Sequence, residues 1–225
     1  MNKIPFSAII FDLDGTLLDT SNDLGNAVNY ALEKNGFDSI SLFEAVQFTG
    51  SGMKNLMERA ILRSSGTTLS EDEFARVFED FRSYYALHAN DNTVPYKGIP
   101  ELLNKLRADK IPLAVLSNKK HEATSAIIRH HFPDTFDVVL GEGGDVVKKP
   151  DTSGFSKILR ELDISDPETV LYVGDSEIDV MTVKNARCRG VFVSWGFRTK
   201  EQLINAGADI ILDSVASLED HIYNK

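Results

Sequence analysis

Short, unbroken apolar runs recur along the chain at 4–11, 112–117, 136–140, 169–174, 190–195 and 209–212. They do not alternate apolar with polar, as a strand with one wet face does. Continuous runs of this length instead suit parallel strands buried on both faces. Between them lie amphipathic stretches at 99–110, 121–131, 155–162 and 177–185, whose apolar positions repeat at helical spacing. The alternation predicts βαβ units with right-handed crossovers, and so an α/β fold: a doubly wound, Rossmann-like, mostly parallel sheet. The pattern breaks once. Residues 19–93 carry helical periods and no convincing strand. One helix places Leu24, Val28, Ala31 and Leu32 on a single face and stops at Asn35-Gly36, where glycine supplies the left-handed turn. Another opens with a capping box, Ser70-x-x-Glu73, and runs Phe74, Val77, Phe78, Phe81 and Tyr85 down one side, a stripe that reads as helix-bundle core. Two prolines and a glycine in Val94-Pro95-Tyr96-Lys97-Gly98-Ile99-Pro100 mark the return. The expected organisation is a discontinuous α/β core, 1–18 and 94–225, with a helical cap domain, 19–93, inserted in it.

Composition narrows the setting. The chain has 225 residues, 42% hydrophobic and 26% charged, with no apolar run near the ~20 residues of a membrane span. The first eleven residues lack the pattern of a secretory signal. The single cysteine, Cys188, has no partner for an internal disulfide and no metal-ligand spacing around it, so it reads as a small buried hydrophobe in a cytoplasmic protein. Lys and Arg number 24 against 34 Asp and Glu, a net charge of −10, which disfavours a nucleic-acid partner. Neither a membrane nor an obligate protein partner is implied.

Candidate chemistry sits at the strand ends. In open α/β sheets, ligands bind outside the carboxyl ends of the strands. There this chain places Asp12-Leu13-Asp14-Gly15-Thr16 after its first run, Ser117-Asn118-Lys119 after a second, and Gly174-Asp175-Ser176-Glu177-Ile178-Asp179 after another; Lys148-Lys149-Pro150-Asp151 precedes a helix. Two carboxylates 4 Å apart repel by about 4 kcal/mol at an effective dielectric of 20, and a bound cation relieves that. With oxygen ligands and no nearby His or Cys, the candidate is Mg2+, which pairs naturally with a phosphate. Ser117 and Lys149 then suit the oxygens of a transferring phosphoryl group. Asp12 suits a carboxylate nucleophile and Asp14 a general acid.

In these four motifs, in their order and strand context, the sequence resembles the haloacid dehalogenase superfamily of phosphohydrolases. A helical insert just after the first motif resembles the subgroup of phosphoglycolate phosphatases and β-phosphoglucomutases. Gly50-Ser51-Gly52-Met53-Lys54-Asn55-Leu56 and Ser194-Trp195-Gly196-Phe197-Arg198 are most similar to the former. The resemblance implies that Asp12 is the nucleophile, Asp14 the acid and base, Ser117 and Asn118 phosphate contacts, and Lys149 a partner of nucleophile and phosphoryl group. It implies Mg2+ bound by Asp175, Asp12 and the backbone carbonyl of Asp14, with Asp179 in support. Lys119, Lys54 and Arg198 are candidates for a substrate carboxylate or second phosphate, and Gly50 and Gly52 for a turn in a loop over the site. Trp195, at a strand end, suits packing or substrate contact. The implied activity is Mg2+-dependent hydrolysis of a small phosphorylated metabolite, phosphoglycolate-like, through an aspartyl-phosphate. A sugar phosphomutase or pyrophosphatase would use the same chemistry, and a phospho-receiver signalling domain is a remoter alternative, disfavoured by the insert.

Overall fold

A computed structural model describes residues 5–50 and 52–224, so Ile4 of the first expected strand and Ser51 lie outside the described residues. The strands are β1 (Ala8–Phe11), β2 (Leu18–Asp19), β3 (Val94–Pro95), β4 (Leu113–Lys120), β5 (Val138–Glu142), β6 (Val170–Gly174), β7 (Arg189–Val193) and β8 (Ile211–Leu212). The helices are α1 (Ser21–Lys34), α2 (Leu42–Gln47), α3 (Met53–Ser65), α4 (Glu71–His88), α5 (Ile99–Ala108), α6 (His121–His131), α7 (Ser153–Glu161), α8 (Glu177–Ala186), α9 (Lys200–Ala206) and α10 (Val215–Tyr223). They divide into two compact units, one taking the chain up to Asp19 and again from Pro95, the other being Thr20–Val94.

The first unit is organised by a six-stranded sheet in the order β5-β4-β1-β6-β7-β8, every neighbouring pair parallel. Strand periodicity explains the unbroken apolar runs. Ile9 and Phe11 of β1 face a cluster with Val115, Val173 and Leu103, while Ala8 and Ile10 face the opposite cluster with Leu116, Tyr172 and Phe155. Both faces are covered, so both sets must be apolar. The register pairs Phe11 with Val115 and with Val173, which brings the carboxyl ends of β4, β1 and β6 together on one rim. Several expected boundaries move: β1 starts at Ala8, β5 covers Val138–Glu142 rather than 136–140, β7 ends at Val193 and β8 starts at Ile211. β4 continues through Ser117 to Lys120 past a register shift after Leu116, and α7 begins at Ser153 rather than 155.

The second unit is helical. Leu24, Val28, Ala31 and Leu32 of α1 pack with Leu56 and Met57 of α3 and with Val77 and Phe81 of α4. The aromatic stripe of α4 belongs to this cluster, with Phe81 fully buried and Phe74, Phe78 and Tyr85 packed around it. Asp23, buried in the first turn of α1, accepts from the backbone N–H groups of Asn92 (2.9 Å) and Thr93 (2.9 Å), tying the start of the unit to its end. Among the described residues no helix is long and apolar enough to cross a membrane.

Candidate active site

Asp12 follows β1 directly, and its backbone N–H donates to Val173 of β6 at 2.8 Å, so the sheet itself fixes its place. Its Oδ1 accepts from Leu13 N–H (2.7 Å) and from Lys149 Nζ (2.8 Å). The chain then turns at Gly15, with φ +85°, and a Cβ there would lie 2.3 Å from Asp175 Oδ2. Only glycine permits both the left-handed backbone and that approach. Asp14 sits on this turn, and its Oδ1 accepts from Lys119 Nζ at 3.0 Å.

From β4, Ser117 is buried and its Oγ accepts from Lys119 N–H at 3.1 Å. Asn118 turns its amide on the main chain of Lys149, accepting from its N–H (2.6 Å) and donating to its carbonyl (3.1 Å). That grip places the Lys149 ammonium beneath the strand ends. There it donates to Asp12 Oδ1, to Asp179 Oδ1 (2.7 Å) and to the Tyr172 hydroxyl (3.0 Å).

The end of β6 supplies the remaining carboxylates. Asp175 accepts from Thr16 Oγ1 (3.1 Å) at Oδ1 and from Phe197 N–H (2.7 Å) at Oδ2. Asp179 closes a capping box at the start of α8, its Oδ2 accepting from Ser176 Oγ (2.6 Å), Ser176 N–H (3.1 Å) and Asp175 N–H (3.2 Å). Its Oδ1 accepts from Lys149 and from the Tyr172 hydroxyl (2.9 Å). The box is a common helix start, but here it also anchors a buried ion pair.

Asp12, Asp175 and Asp179 each offer an oxygen, and these oxygens lie within 4.8 Å of one another. Burial pushes the Asp12 carboxyl well above its ordinary range, with the charges of Asp179 and Asp175 adding to it and Lys149 opposing. Burial, then Asp179, raises Asp175 to about 7. Burial would raise Asp179 too, but the Lys149 ammonium and the Ser176 and Tyr172 hydrogen bonds outweigh it and hold that carboxyl low. Burial likewise works against the Lys149 charge, and Asp12 and Asp179 overcome it, so the ammonium is held above its usual range. Asp179 and Lys149 are thus the ionised pair, and Asp12 and Asp175 are two crowded carboxylates whose charge wants a cation. An all-oxygen set of this kind fits a hard divalent ion. Because both oxygens of Asp179 already accept several hydrogen bonds, Asp12 and Asp175 are the carboxylates better placed for direct coordination.

Asp12, Asp14, Ser117, Asn118, Lys119, Lys149, Asp175 and Asp179 all belong to the sheet unit, and the contacts above join them in two sets, Asp14 with Lys119 and Ser117, and Asn118 with Lys149, Asp12, Asp179 and Asp175. Gly50 and Lys54 belong to the helical unit. Gly50 and Gly52 have φ of 102° and 94°, as turn residues do. Lys54 stands exposed on α3, 3.9 Å from Glu58. Arg198 is buried and pairs bidentately with Glu177, through Nε (2.7 Å) and an Nη (3.1 Å). Trp195 donates from Nε1 to the Thr16 carbonyl at 3.2 Å. The thiol of Cys188, half-buried, is pushed up to about 12 by burial. Thr16, Glu177 and Phe197 lay within the sequence motifs without a role assigned to them, and Tyr172 was missed. For Tyr172 a signal existed: a hydroxyl in a run that needed only apolar side chains.

Comparison with known proteins gives a consistent set of relatives. Residues 9–193 match the haloacid dehalogenase-like hydrolase family. A phosphoglycolate phosphatase of Chromobacterium violaceum is 31% identical over 227 residues, covering 100% of each chain. The crystal structure of a candidate phosphoglycolate phosphatase from Lactobacillus delbrueckii subsp. bulgaricus superposes with a TM-score of 0.93 at 35% identity, covering 98% of this chain and 99% of that one. CbbY from Rhodobacter sphaeroides, solved with xylulose-(1,5)-bisphosphate, has a TM-score of 0.73 at 27% identity, covering 95% and 96%.

Proposed function

Since the chain belongs to the haloacid dehalogenase-like hydrolases, we propose that it is a Mg2+-dependent phosphatase of a small phosphorylated metabolite, of the phosphoglycolate type, with Asp12 as its nucleophile. One observation carries this reading. Lys149 bridges Asp12 and Asp179, and Asp175 completes a carboxylate cluster within 4.8 Å, at the carboxyl ends of adjacent strands β1 and β6.

Oδ1 of Asp12 is held by Leu13 and Lys149, so Oδ2 attacks phosphorus. The new Asp12 O–P bond forms as the ester P–O bond breaks, and Asp14 gives a proton to the departing oxygen. Asp14 then takes a proton from water, the water oxygen bonds to phosphorus, and the Asp12 O–P bond breaks to release phosphate. Asp12, Asp175 and the Asp14 carbonyl would hold Mg2+, which when bound supplies positive charge against the phosphoryl oxygens. Ser117, with Asn118 beside it, meets those oxygens from β4. Lys149 holds Asp12 in line, and Lys119 holds Asp14 at Oδ1.

The test is phosphate release from a panel containing phosphoglycolate, a pentulose bisphosphate and an aryl phosphate, with Mg2+ and with excess chelator. Turnover of at least one substrate is expected only with the metal, and Asp12→Asn should abolish it while the fold persists. Full activity in chelator, or turnover by Asp12→Asn with deamidation excluded, overturns the assignment.

A further inference from the structure

Tyr172 is fully buried in an apolar cluster with Ala8, Ile10 and Leu116 of the sheet and Phe155 and Ile158 of α7. Phenylalanine would fill the same space. The hydroxyl adds only a polar group, which such a cluster tolerates when it is hydrogen-bonded. It is bonded twice, accepting from Lys149 Nζ at 3.0 Å and donating to Asp179 Oδ1 at 2.9 Å. An ammonium has three N–H groups. Those of Lys149 have three partners: Tyr172, Asp179 and Asp12.

We infer that Tyr172 is a positioning residue for phosphoryl transfer, its hydroxyl occupying one N–H of Lys149 so that another is aimed at Oδ1 of the nucleophile Asp12. This rests on the reading of Asp12 given above. Tyr172 touches no reacting atom and acts through Lys149. Without the hydroxyl, Asp179 Oδ1 loses a donor and draws the ammonium toward itself. Asp12 then loses the hold that directs its other oxygen at phosphorus. Ser117, which meets the phosphate from β4, is left as it was.

The experiment is Tyr172→Phe, which keeps the ring. Release of nitrophenol from nitrophenyl phosphate is followed in single turnovers, with enzyme in excess, saturating and supplied with saturating Mg2+. The rate constant so obtained does not depend on the fraction of protein folded. It should fall by ~10- to ~100-fold, the loss expected of one hydrogen bond to a charged group. KM should stay unchanged, and the rate is compared at saturating Mg2+ because Asp12 is also a proposed ligand of the metal. An unaltered rate constant, with only the thermal midpoint lowered, makes the hydroxyl structural and overturns the inference. A raised Mg2+ requirement with a normal rate at saturation assigns it to the metal site, and also overturns it. Asp12→Asn run in parallel separates the two levels: if that variant turns over, the nucleophile assignment fails, whereas loss there with a normal Tyr172→Phe rate overturns the positioning role alone.

Discussion

Asp14 differs from Asp12 in what holds it. Lys149 and a backbone N–H fix Asp12, while Asp14 stands on the Gly15 turn with Lys119 at Oδ1. The proton-transfer role proposed for Asp14 can be isolated by leaving-group chemistry. An alkyl ester leaves as a basic alkoxide and needs the proton; nitrophenolate leaves without it. For Asp14→Asn, the first step with an alkyl phosphate should slow by ~10²- to ~10⁴-fold, and with nitrophenyl phosphate much less. Nitrophenol should then appear as a burst near one equivalent per enzyme, because the aspartyl-phosphate lacks a base to activate water. Equal losses for both esters would reassign Asp14 to structure or metal binding. The ionisable residues of the site were legible because strand ends in a doubly wound sheet converge by topology, so position along the chain implied proximity. Tyr172 was not, since its place in an apolar run hides which atom the hydroxyl meets. Nor was the Asn118 grip on the Lys149 backbone, which depends on a loop conformation that no periodicity encodes.

Elements with long periodic faces were the readable ones. α6 spans the expected residues, and α1 ends at Lys34 with Asn35 as its C-cap and Gly36 at φ 78°. α2 and α3 were not resolved as separate helices; for α2 the reason is length, since six residues are too few to show a helical period. What defines α2 is its cap. Ser41 accepts from Glu44 N–H, and Glu44 returns to Ser41 N–H and pairs with Arg63. The Ser41 side-chain and backbone hydrogen bonds, with Arg63, lower the Glu44 carboxyl from 4.5 to about 2. A carboxyl lowered on folding contributes stability above its unfolded value, here 4.5, and that contribution is lost as pH falls toward about 2. Glu44→Gln keeps a capping side chain and removes the charge. The variant should therefore be less stable than the parent at neutral pH, and the gap should close as acid is added across that window. Chemical denaturation at stepped pH checks this; a gap constant with pH would show that charge at Glu44 contributes nothing.

The molecule as a whole has a chain order that its sequence announces and a core arrangement that it does not. Prolines and a glycine at 94–100 marked the return from the helical insert, and the structure separates the units at Asp19/Thr20 and Val94/Pro95. The pairing of β1 with β6, from residue 170 onward, had no sequence signal, because any two apolar runs can pair. Each unit holds its own apolar clusters. Phe81, fully buried, stacks on Phe78 and Tyr85 at centroid distances of 6.2 and 5.7 Å, all within the helical cluster. Phe155 lies in a cluster confined to the sheet unit. Truncating a buried phenylalanine to alanine costs about 3–5 kcal/mol, the lost transfer energy plus a cavity. Phe81→Ala should therefore speed amide hydrogen exchange in peptides from α1, α3 and α4, and leave β1 and β6 as protected as in the parent. Phe155→Ala should do the reverse. Comparing the two maps at one temperature decides how the clusters cooperate: if either variant loosens both units equally, they unfold as one body, and the separate cores described above do not act as separate sources of stability.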